Sequence, residues 1–216
     1  MKYWIPAAVV LSSVFCVTSA VGQGASELDS GLYLSVRALG SNPTAKDDPT
    51  QAEYEFNYGY GGIAAIGYAA ANPGYGVNFR FELEASYRKY ELDEISDPST
   101  TICGGGVTFC LASGNYNIAA GMVNMYFDFN TASPMLPSLG IGYGRARYYF
   151  DDWVVNGAPW ANSHIDTDVY QVMAGIGYRL SPGLILDTEY RYLQPNNGGM
   201  NGFYSNEFTI GFRLIL

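Results

Sequence analysis

The sequence predicts an all-β fold, and three features of the chain support that prediction. Apolar and polar residues alternate with a period of two over eight segments, which places them on opposite faces of β-strands. Short turns rich in Gly and Pro follow the second, fourth and sixth segments. Longer connections follow the first, third, fifth and seventh, an asymmetry typical of membrane barrels. The expected architecture is an eight-stranded antiparallel up-and-down transmembrane β-barrel.

The strands are predicted where the alternation is continuous. The third is the clearest, since apolar residues run from Val77 to Tyr87 on one face and polar residues from Asn78 to Arg88 on the other. In the fifth, Arg145 and Arg147 fall on the apolar face. A β-bulge, or arginines that reach to the membrane interface, would each explain this break. The predicted strands are residues 31–40, 54–69, 77–88, 116–129, 138–150, 170–180, 184–192 and 208–216.

Residues 1–22 have the composition of a cleavable signal peptide. Lys2 precedes an apolar run, and small residues follow at Ser19 and Ala20. The run is about a dozen residues long, whereas a spanning helix needs roughly 20. We therefore predict a signal peptide at residues 1–22 and an exported barrel domain at residues 23–216.

Alternation alone does not say which face of the barrel points outward, because a soluble carrier barrel places its apolar face inside. Three observations favour a membrane barrel. The strands are long enough to cross the hydrocarbon at a tilt, and the polar faces contain almost no lysine. Aromatic residues also lie at the ends of the apolar stripes, as in interfacial girdles: Tyr87, Phe129, Tyr170, Tyr178, Tyr192 and Phe208.

The inward faces are predicted to form a balanced network of charges. The lumen of an eight-stranded barrel is just wide enough to be filled by side chains, and an unpaired charge there would be costly. A closed polar core is therefore favoured over an ion path. The predicted network comprises Arg37, Arg80, Arg88, Arg179, Arg191 and Arg213 with Glu82, Glu84, Asp128, Asp187, Glu189 and Glu207.

Overall charge limits the partners that can be expected. Only 14% of residues are charged, and the formal net charge of −9 becomes −10 when Lys2 is removed with the leader. A net negative field does not attract nucleic acid or anionic lipid. The even strand number places both termini on the short-turn side, which is the periplasmic side in membrane barrels of bacteria.

Two cysteines remain after removal of the leader, which contains Cys16. Cys103 and Cys110 are separated by six residues, and an exported chain meets an oxidising periplasm. We therefore expect a local disulfide. Metal binding by the pair is less favoured, because the sole histidine, His164, is distant in sequence.

Three segments resemble small OmpA-like, opacity-type outer-membrane β-barrel proteins, a porin-like surface-antigen family of bacteria. They are residues 124–128, 139–143 and 174–193. The resemblance implies location in the outer membrane, contact with its lipid and lipopolysaccharide, and assembly by the barrel-assembly machinery. It also implies that the last strand is the assembly signal, although this chain ends in Leu216 where such barrels usually end in Phe. The residues of that signal are Phe208, Ile210, Phe212, Leu214 and Leu216.

Candidate chemistry is sparse. Ser163 and His164 could form part of a hydrolase site, but neighbours in sequence seldom point at one another, as nucleophilic catalysis requires. No cofactor or metal site is expected. The aromatic group of Tyr148, Tyr149, Phe150, Trp153 and Trp160 is interpreted as an interfacial belt, with an exposed contact patch as the alternative.

The predicted function is that of a non-enzymatic surface protein. Its rigid barrel displays four loops, supports envelope integrity and presents candidate sites for adhesion or immune recognition by host surface molecules. A narrow porin-like channel is the alternative, and a barrel hydrolase is less favoured.

Overall fold

The computed structural model describes residues 30–47, 52–70, 76–99, 103, 106, 108–155, 157–159, 162–196 and 203–216. Within these ranges no helix is long and apolar enough to cross a membrane. The strands are β1 (Gly31–Asp47), β2 (Ala52–Phe56), β3 (Gly59–Ala70), β4 (Val77–Ser96), β5 (Phe109–Phe129), β6 (Met135–Val155), β7 (Ala158–Pro159), β8 (Ser163–Ser181), β9 (Leu184–Pro195) and β10 (Phe203–Ile215).

Eight of these strands close into a ring. Each pairs antiparallel with its neighbours in the order β1, β3, β4, β5, β6, β8, β9 and β10. β10 then returns to β1, with a register from Tyr33 opposite Ile215 to Ala45 opposite Phe203. β2 pairs with β1 and β4 above β3, and β7 pairs with β6. The predicted eight-stranded antiparallel barrel is confirmed.

The outward and inward faces are those that the sequence predicted. On β4, Leu83 is 60% exposed while Glu82 and Glu84 are 2% and 4% exposed. Apolar side chains on the outer wall of a barrel are stable only against lipid, because water would not solvate so large an apolar surface. The outward stripes are therefore the lipid-facing surface.

The strands on the long-loop side are longer than predicted. β4 and β5 remain paired up to Ser96 opposite Phe109, in a region that we predicted to be loop. The second predicted strand is instead divided into β2 and β3, separated by Asn57 and Tyr58. Beyond the membrane the outer face need not be apolar, so backbone pairing continues where the alternating pattern has ended.

The parity break in the fifth predicted strand is not caused by a bulge. The pairing of β6 with β8 is regular from Met135 to Phe150, and its pairing with β5 is regular from Ser138 to Asp151. Arg145 and Arg147 are both exposed and continue the outward row. The arginines therefore lie on the outer wall itself.

The short connections lie together at the end of the barrel that holds the carboxyl terminus. The turn between β8 and β9 contains Gly183 with φ +79°, a left-handed conformation that favours glycine. The turn predicted at Asn72–Gly74 lies outside the described residues, as does the predicted signal peptide.

Candidate functional site: the filled interior

The interior nearest the short turns contains a four-residue ion-pair group. Arg80 binds Asp128 with both Nε and Nη2, at 2.5 and 2.9 Å. Arg213 binds Asp187 through Nε and Nη2, at 3.0 and 2.8 Å, and its Nη1 is 3.3 Å from Asp128. The Arg80 guanidinium also lies 4.2 Å from the centroid of the Tyr126 ring. Two parallel hydrogen bonds between a guanidinium and a carboxylate fix the orientation of both side chains.

A central group of five charged residues lies next along the axis. Arg37 Nη2 is 2.5 Å from Glu82 Oε1. Arg191 binds both oxygens of Glu84, with its Nη1 and Nη2 at 2.9 and 2.6 Å, and its Nε donates to Glu189. All five side chains are at most 5% exposed. The group is thus almost completely removed from water.

Neutral polar side chains complete the central group, and the sequence analysis did not assign them to it. Tyr33 donates to Glu82, and Asn124 donates to Glu84 at 2.8 Å. Gln171 donates to Asn124 at 2.7 Å, and the Tyr126 hydroxyl accepts from Arg191 at 3.1 Å. All of these residues fall on the polar face of their strands, which was the available signal.

A single isolated pair separates the central group from the extracellular end. Arg88 on β4 binds both carboxylate oxygens of Glu207 on β10, at 2.5 and 2.9 Å. Neither side chain is exposed. Ser86 accepts from Arg88 at 2.8 Å, and Ser205 donates to Glu207 at 2.9 Å. The pair spans the lumen between strands that are not neighbours in the sheet.

Arg179 is not placed among these buried charges. It lies near the end of β8, is partly exposed, and its Nη1 donates to the main-chain oxygen of Ser133 in the turn before β6. The expected balance of six and six therefore becomes five arginines and six acids inside the described barrel. Its inward parity was predicted correctly, but its position at the rim was not recognised because parity carries no information about depth.

An apolar layer fills the interior beyond Arg88, and on β5 it extends back past Arg88 to Met122, which is opposite Glu84. Tyr116 is its centre, with ring centroids 5.4 Å from Tyr90, 6.0 Å from Tyr148 and 5.3 Å from Phe150. We call this layer the aromatic plug. Its buried members are Tyr90, Leu92, Ile95, Cys103, Cys110, Ala112, Tyr116, Ile118, Ala120, Met122, Ala146, Tyr148, Trp153, Val155, Val169 and Leu193.

The interpretation of the late aromatic residues as an interfacial belt is therefore wrong for three of them. Tyr148 and Trp153 are buried in the aromatic plug and Phe150 packs against it. Asp152 has φ +57°, and a register shift here lets Trp153 point inward. Trp153 Nε1 then donates to the main-chain oxygen of Asn115 at 3.0 Å. Trp160 lies outside the described residues.

A small cavity lies beside the aromatic plug. Its volume is about 10 Å³, and its walls include Tyr116, Tyr148, Leu193 and Phe203. A cavity of this size holds about one water molecule. It therefore offers no room for a permeating solute.

The disulfide between Cys103 and Cys110 is present, as predicted. Both cysteines are buried in the aromatic plug. The carboxylate of Asp97 accepts hydrogen bonds from the Cys103 main-chain nitrogen at 3.0 Å and from the Ser99 hydroxyl at 2.6 Å. These contacts join the residues at the tip of the β4–β5 hairpin to one another, and the buried cysteines pack the tip against the aromatic plug.

The candidate hydrolase residues are not brought together. Ser163 and His164 are successive, exposed residues of β8, and successive strand residues point to opposite faces. Ser163 is opposite Phe150 and His164 is opposite Tyr149. Within the described ranges no three His, Cys, Asp or Glu side chains are grouped as metal ligands.

The five residues of the predicted assembly signal all lie on the outer wall of β10 or just beyond it. Phe208, Ile210, Phe212, Leu214 and Leu216 are each between 48% and 70% exposed. This row therefore belongs to the lipid-facing surface of the folded barrel. Recognition by the assembly machinery remains a prediction.

Comparison with known proteins identifies the family. The family model described as outer membrane protein beta-barrel domain matches residues 7–215. The chain belongs to this family. It is thus an outer-membrane β-barrel protein of bacteria, as the resemblance in the sequence implied.

Solved structures with a similar fold include two outer-membrane proteins. Neisserial surface protein A aligns with a TM-score of 0.53 at 20% identity, over 87% of this chain and 98% of that one. OprG from Pseudomonas aeruginosa aligns with a TM-score of 0.53 at 10% identity, over 86% of this chain and 95% of that one. At these identities the similarity concerns the fold.

A curated relative is an uncharacterised protein of Brucella abortus (strain 2308). It is 34% identical over 90 residues, which are 38% of this chain and 32% of that protein. Corresponding proteins of Brucella suis and Brucella melitensis match to the same extent. The chain therefore spans about a third of the length of the curated relatives that it matches.

Proposed function

We propose that the protein is a closed, non-enzymatic barrel that displays its extended extracellular end at the bacterial surface and supports envelope integrity. The observation that supports this proposal is the filled interior. Three groups of buried ion pairs and then the aromatic plug follow one another along the axis. Breaking one buried pair costs about 3–5 kcal/mol, so a continuous water path through all of them would be rare.

The extracellular end has a defined structure, which a surface that displays binding sites requires. The β4–β5 hairpin continues past Lys89 to Ser96, a rise of roughly 23 Å along the strand at about 3.3 Å per residue. The disulfide and Asp97 fasten its tip. The outer face of this region exposes Glu53, Glu55, Glu91 and Asp93, so a host or neighbouring molecule with a basic surface would complement it.

Labelling at the two ends of β8 tests the proposed display. Ser163→Cys and Ser181→Cys introduce single thiols at exposed serines, and the native cysteines are held in their disulfide. We expect a membrane-impermeant maleimide to label Ser163→Cys on intact cells and Ser181→Cys only after the outer membrane is permeabilised. Equal labelling of both variants on intact cells would contradict the proposal.

Two further measurements address the two alternatives. If Ser163 were the nucleophile of a hydrolase, the Ser163→Cys variant would lose the activity towards lipid or peptide substrates that the wild type has. We expect neither the wild type nor the variant to show such activity. A narrow channel would allow small sugars to swell proteoliposomes that contain the wild-type barrel. We expect these vesicles to remain as impermeable as protein-free vesicles.

A further inference from the structure

An acidic face lies on the outer wall above the membrane, on the neighbouring strands β2 and β4. We define it by its five carboxylates: Glu53, Glu55, Glu91, Asp93 and Glu94. Two basic residues are their neighbours in the sheet. Lys89 precedes Glu91 in the outward row of β4, and Lys46 is opposite Glu53. Five acids and two basic residues sum to a local charge of −3.

Four of the five carboxylates are not neutralised by the barrel itself. Among the described residues, Glu53, Glu91, Asp93 and Glu94 have no ion pair and no side-chain hydrogen bond. Glu94 is also directly opposite Glu55, and like charges at opposite positions of a sheet repel each other. The acids of the interior are in contrast each bound to an arginine. A cationic partner would therefore relieve a repulsion that the free barrel retains.

The carboxylates of the acidic face are spread along the strands and do not converge on a point. Calcium needs six to eight oxygen ligands, and in the part of the chain that the structure describes no three His, Cys, Asp or Glu side chains are grouped as metal ligands. Successive outward residues of one strand are about 6.6 Å apart, and the stretch from Lys89 to Ser96 rises roughly 23 Å. Separated carboxylates of this kind suit an extended chain that carries several positive charges.

Aromatic side chains border the acidic face. Tyr58 is 84% exposed and follows Asn57, whose main-chain nitrogen donates to the main-chain oxygen of Glu91 at 2.9 Å. Phe109, opposite Ser96 at the other end of the face, is 58% exposed. Aromatic residues are enriched where proteins bind partners, and a guanidinium stacks on a tyrosine ring. The borders of the face therefore favour a ligand that contains arginine.

A hydrogen-bond acceptor without a donor lies at the base of the acidic face. Asn117 of β5 is opposite Lys89 of β4 and Tyr149 of β6. It is 8% exposed, and its Oδ1 has no hydrogen-bond partner among the described residues. A buried carbonyl oxygen without a donor destabilises the fold. A bound cation that displaces the Lys89 side chain would supply the missing donor.

The curvature of the wall selects the shape of the ligand. Eight strands close the ring, so each strand is rotated by about 45° from the next around the barrel axis. A flat surface of a folded protein would therefore contact few of the carboxylates on β2 and β4. An extended peptide can instead lie along the two strands and contact each carboxylate in turn.

We propose that the acidic face binds a linear, arginine-rich peptide in an extended conformation, with about seven of its residues along the 23 Å of β4. Guanidinium groups bind carboxylates with paired hydrogen bonds, and a field of negative sign raises the rate at which a cationic ligand associates. The inference rests on the proposed display function, because the peptide must reach the face from outside the cell.

Titration of a fluorescent peptide of seven arginines into the purified, detergent-solubilised barrel tests the site. In the variant Glu91→Gln, Asp93→Asn we expect the affinity to fall on the order of tenfold, because two exposed ion pairs are lost. The control Asp166→Asn, Asp168→Asn removes the same charge from β8, three strands away. It should change the affinity by no more than about twofold, since charges beyond about 8 Å are screened in 0.15 M salt. Heat-dependent mobility on gels establishes that each variant is folded.

Two further variants examine the border and the base of the face. Tyr58→Ser should weaken binding of the arginine peptide about two- to fivefold through loss of the stacked ring. Asn117→Val should weaken binding and at the same time raise the free energy of unfolding, because it removes a buried acceptor that has no donor in the free barrel. A purely structural Asn117 would leave the affinity unchanged, which would contradict its assigned role.

Unchanged affinity in the Glu91→Gln, Asp93→Asn variant, or an equal loss in the β8 control, would overturn the proposal. Equal binding of a seven-lysine peptide would overturn the assignment to arginine. Equal binding of the arginine peptide after head-to-tail cyclisation would overturn the extended conformation, because the cyclic form cannot lie along the strands. The binding assay uses purified barrel and the display assay uses intact cells, so failure of one is distinguished from failure of the other.

Discussion

The Arg88–Glu207 pair gives the sharpest prediction about what stabilises the interior. Replacing Arg88 with Met leaves Glu207 buried, with the Ser205 hydroxyl as its one other described hydrogen-bond donor. A buried charge that loses its partner destabilises a protein by about 3–5 kcal/mol. Replacing Glu207 with Leu leaves the Arg88 guanidinium buried without its carboxylate partner. This change should lower the free energy of unfolding by a similar amount. The double variant should unfold within about 1–2 kcal/mol of the wild type, since two apolar side chains of similar volume pack together.

Denaturant unfolding of the barrel in phospholipid vesicles, followed by tryptophan fluorescence, provides the four free energies of a double-mutant cycle. The matched control is the exposed pair Arg147–Asp166, whose side chains are 48% and 31% exposed. Its coupling should be no more than about 1 kcal/mol, because water screens it. Additive costs at Arg88 and Glu207, or a coupling no larger than that of the surface pair, would refute the reasoning.

Three further changes test the packing, the disulfide and the lipid-facing surface. Gly142→Ala should destabilise the barrel by about 1–3 kcal/mol through overpacking, because the added Cβ would lie 2.1 Å from Asn124 Oδ1. In the same unfolding assay Gly121→Ala should be nearly neutral, since a Cβ there meets no atom within 4 Å. The double variant Cys103→Ala, Cys110→Ala should lower the free energy of unfolding by about 2–3 kcal/mol on the chain-entropy model. It should also speed proteolysis of the β4–β5 tip. An unchanged rate of proteolysis would contradict the proposed role of the disulfide in holding the tip. Leu83→Lys on the lipid-facing stripe should lower the free energy of unfolding by about 2–4 kcal/mol. Glu91→Lys, beyond the membrane, should not lower it. Equal unfolding midpoints for the two variants would count against the assigned orientation of the barrel faces.

Much of the barrel could be predicted from the sequence because strand faces follow a period of two. The outward position of Leu83 and the inward position of Glu82 and Glu84 required only that rule and the choice of lipid as the outer solvent. Strand ends beyond the membrane could not be predicted in the same way. Beyond Lys89 the apolar residues Tyr90 and Leu92 lie inward and the polar residues Glu91 and Asp93 outward, the reverse of the membrane pattern. The register shift between Leu92 and Glu94 then breaks the period of two.

The pairing of charges could not be predicted either. Arg88 and Glu207 are 119 residues apart and meet across the lumen, so their contact depends on the closed register of the whole ring. The period of two also does not show where a residue lies along the barrel axis. For this reason Arg179 was expected among the buried charges. The inward position of Trp153 depends on the left-handed backbone of Asp152, a conformation uncommon for any residue other than glycine.

The filled interior is tested most directly by electrical recording. Purified barrel, shown to be folded by its heat-dependent gel mobility, would be inserted into a planar bilayer and held at a constant voltage in concentrated salt. We expect a flat baseline without stable open steps, because the ion pairs and the aromatic plug close the lumen in series. Long-lived steps whose size rises with salt concentration would contradict the account and favour the channel.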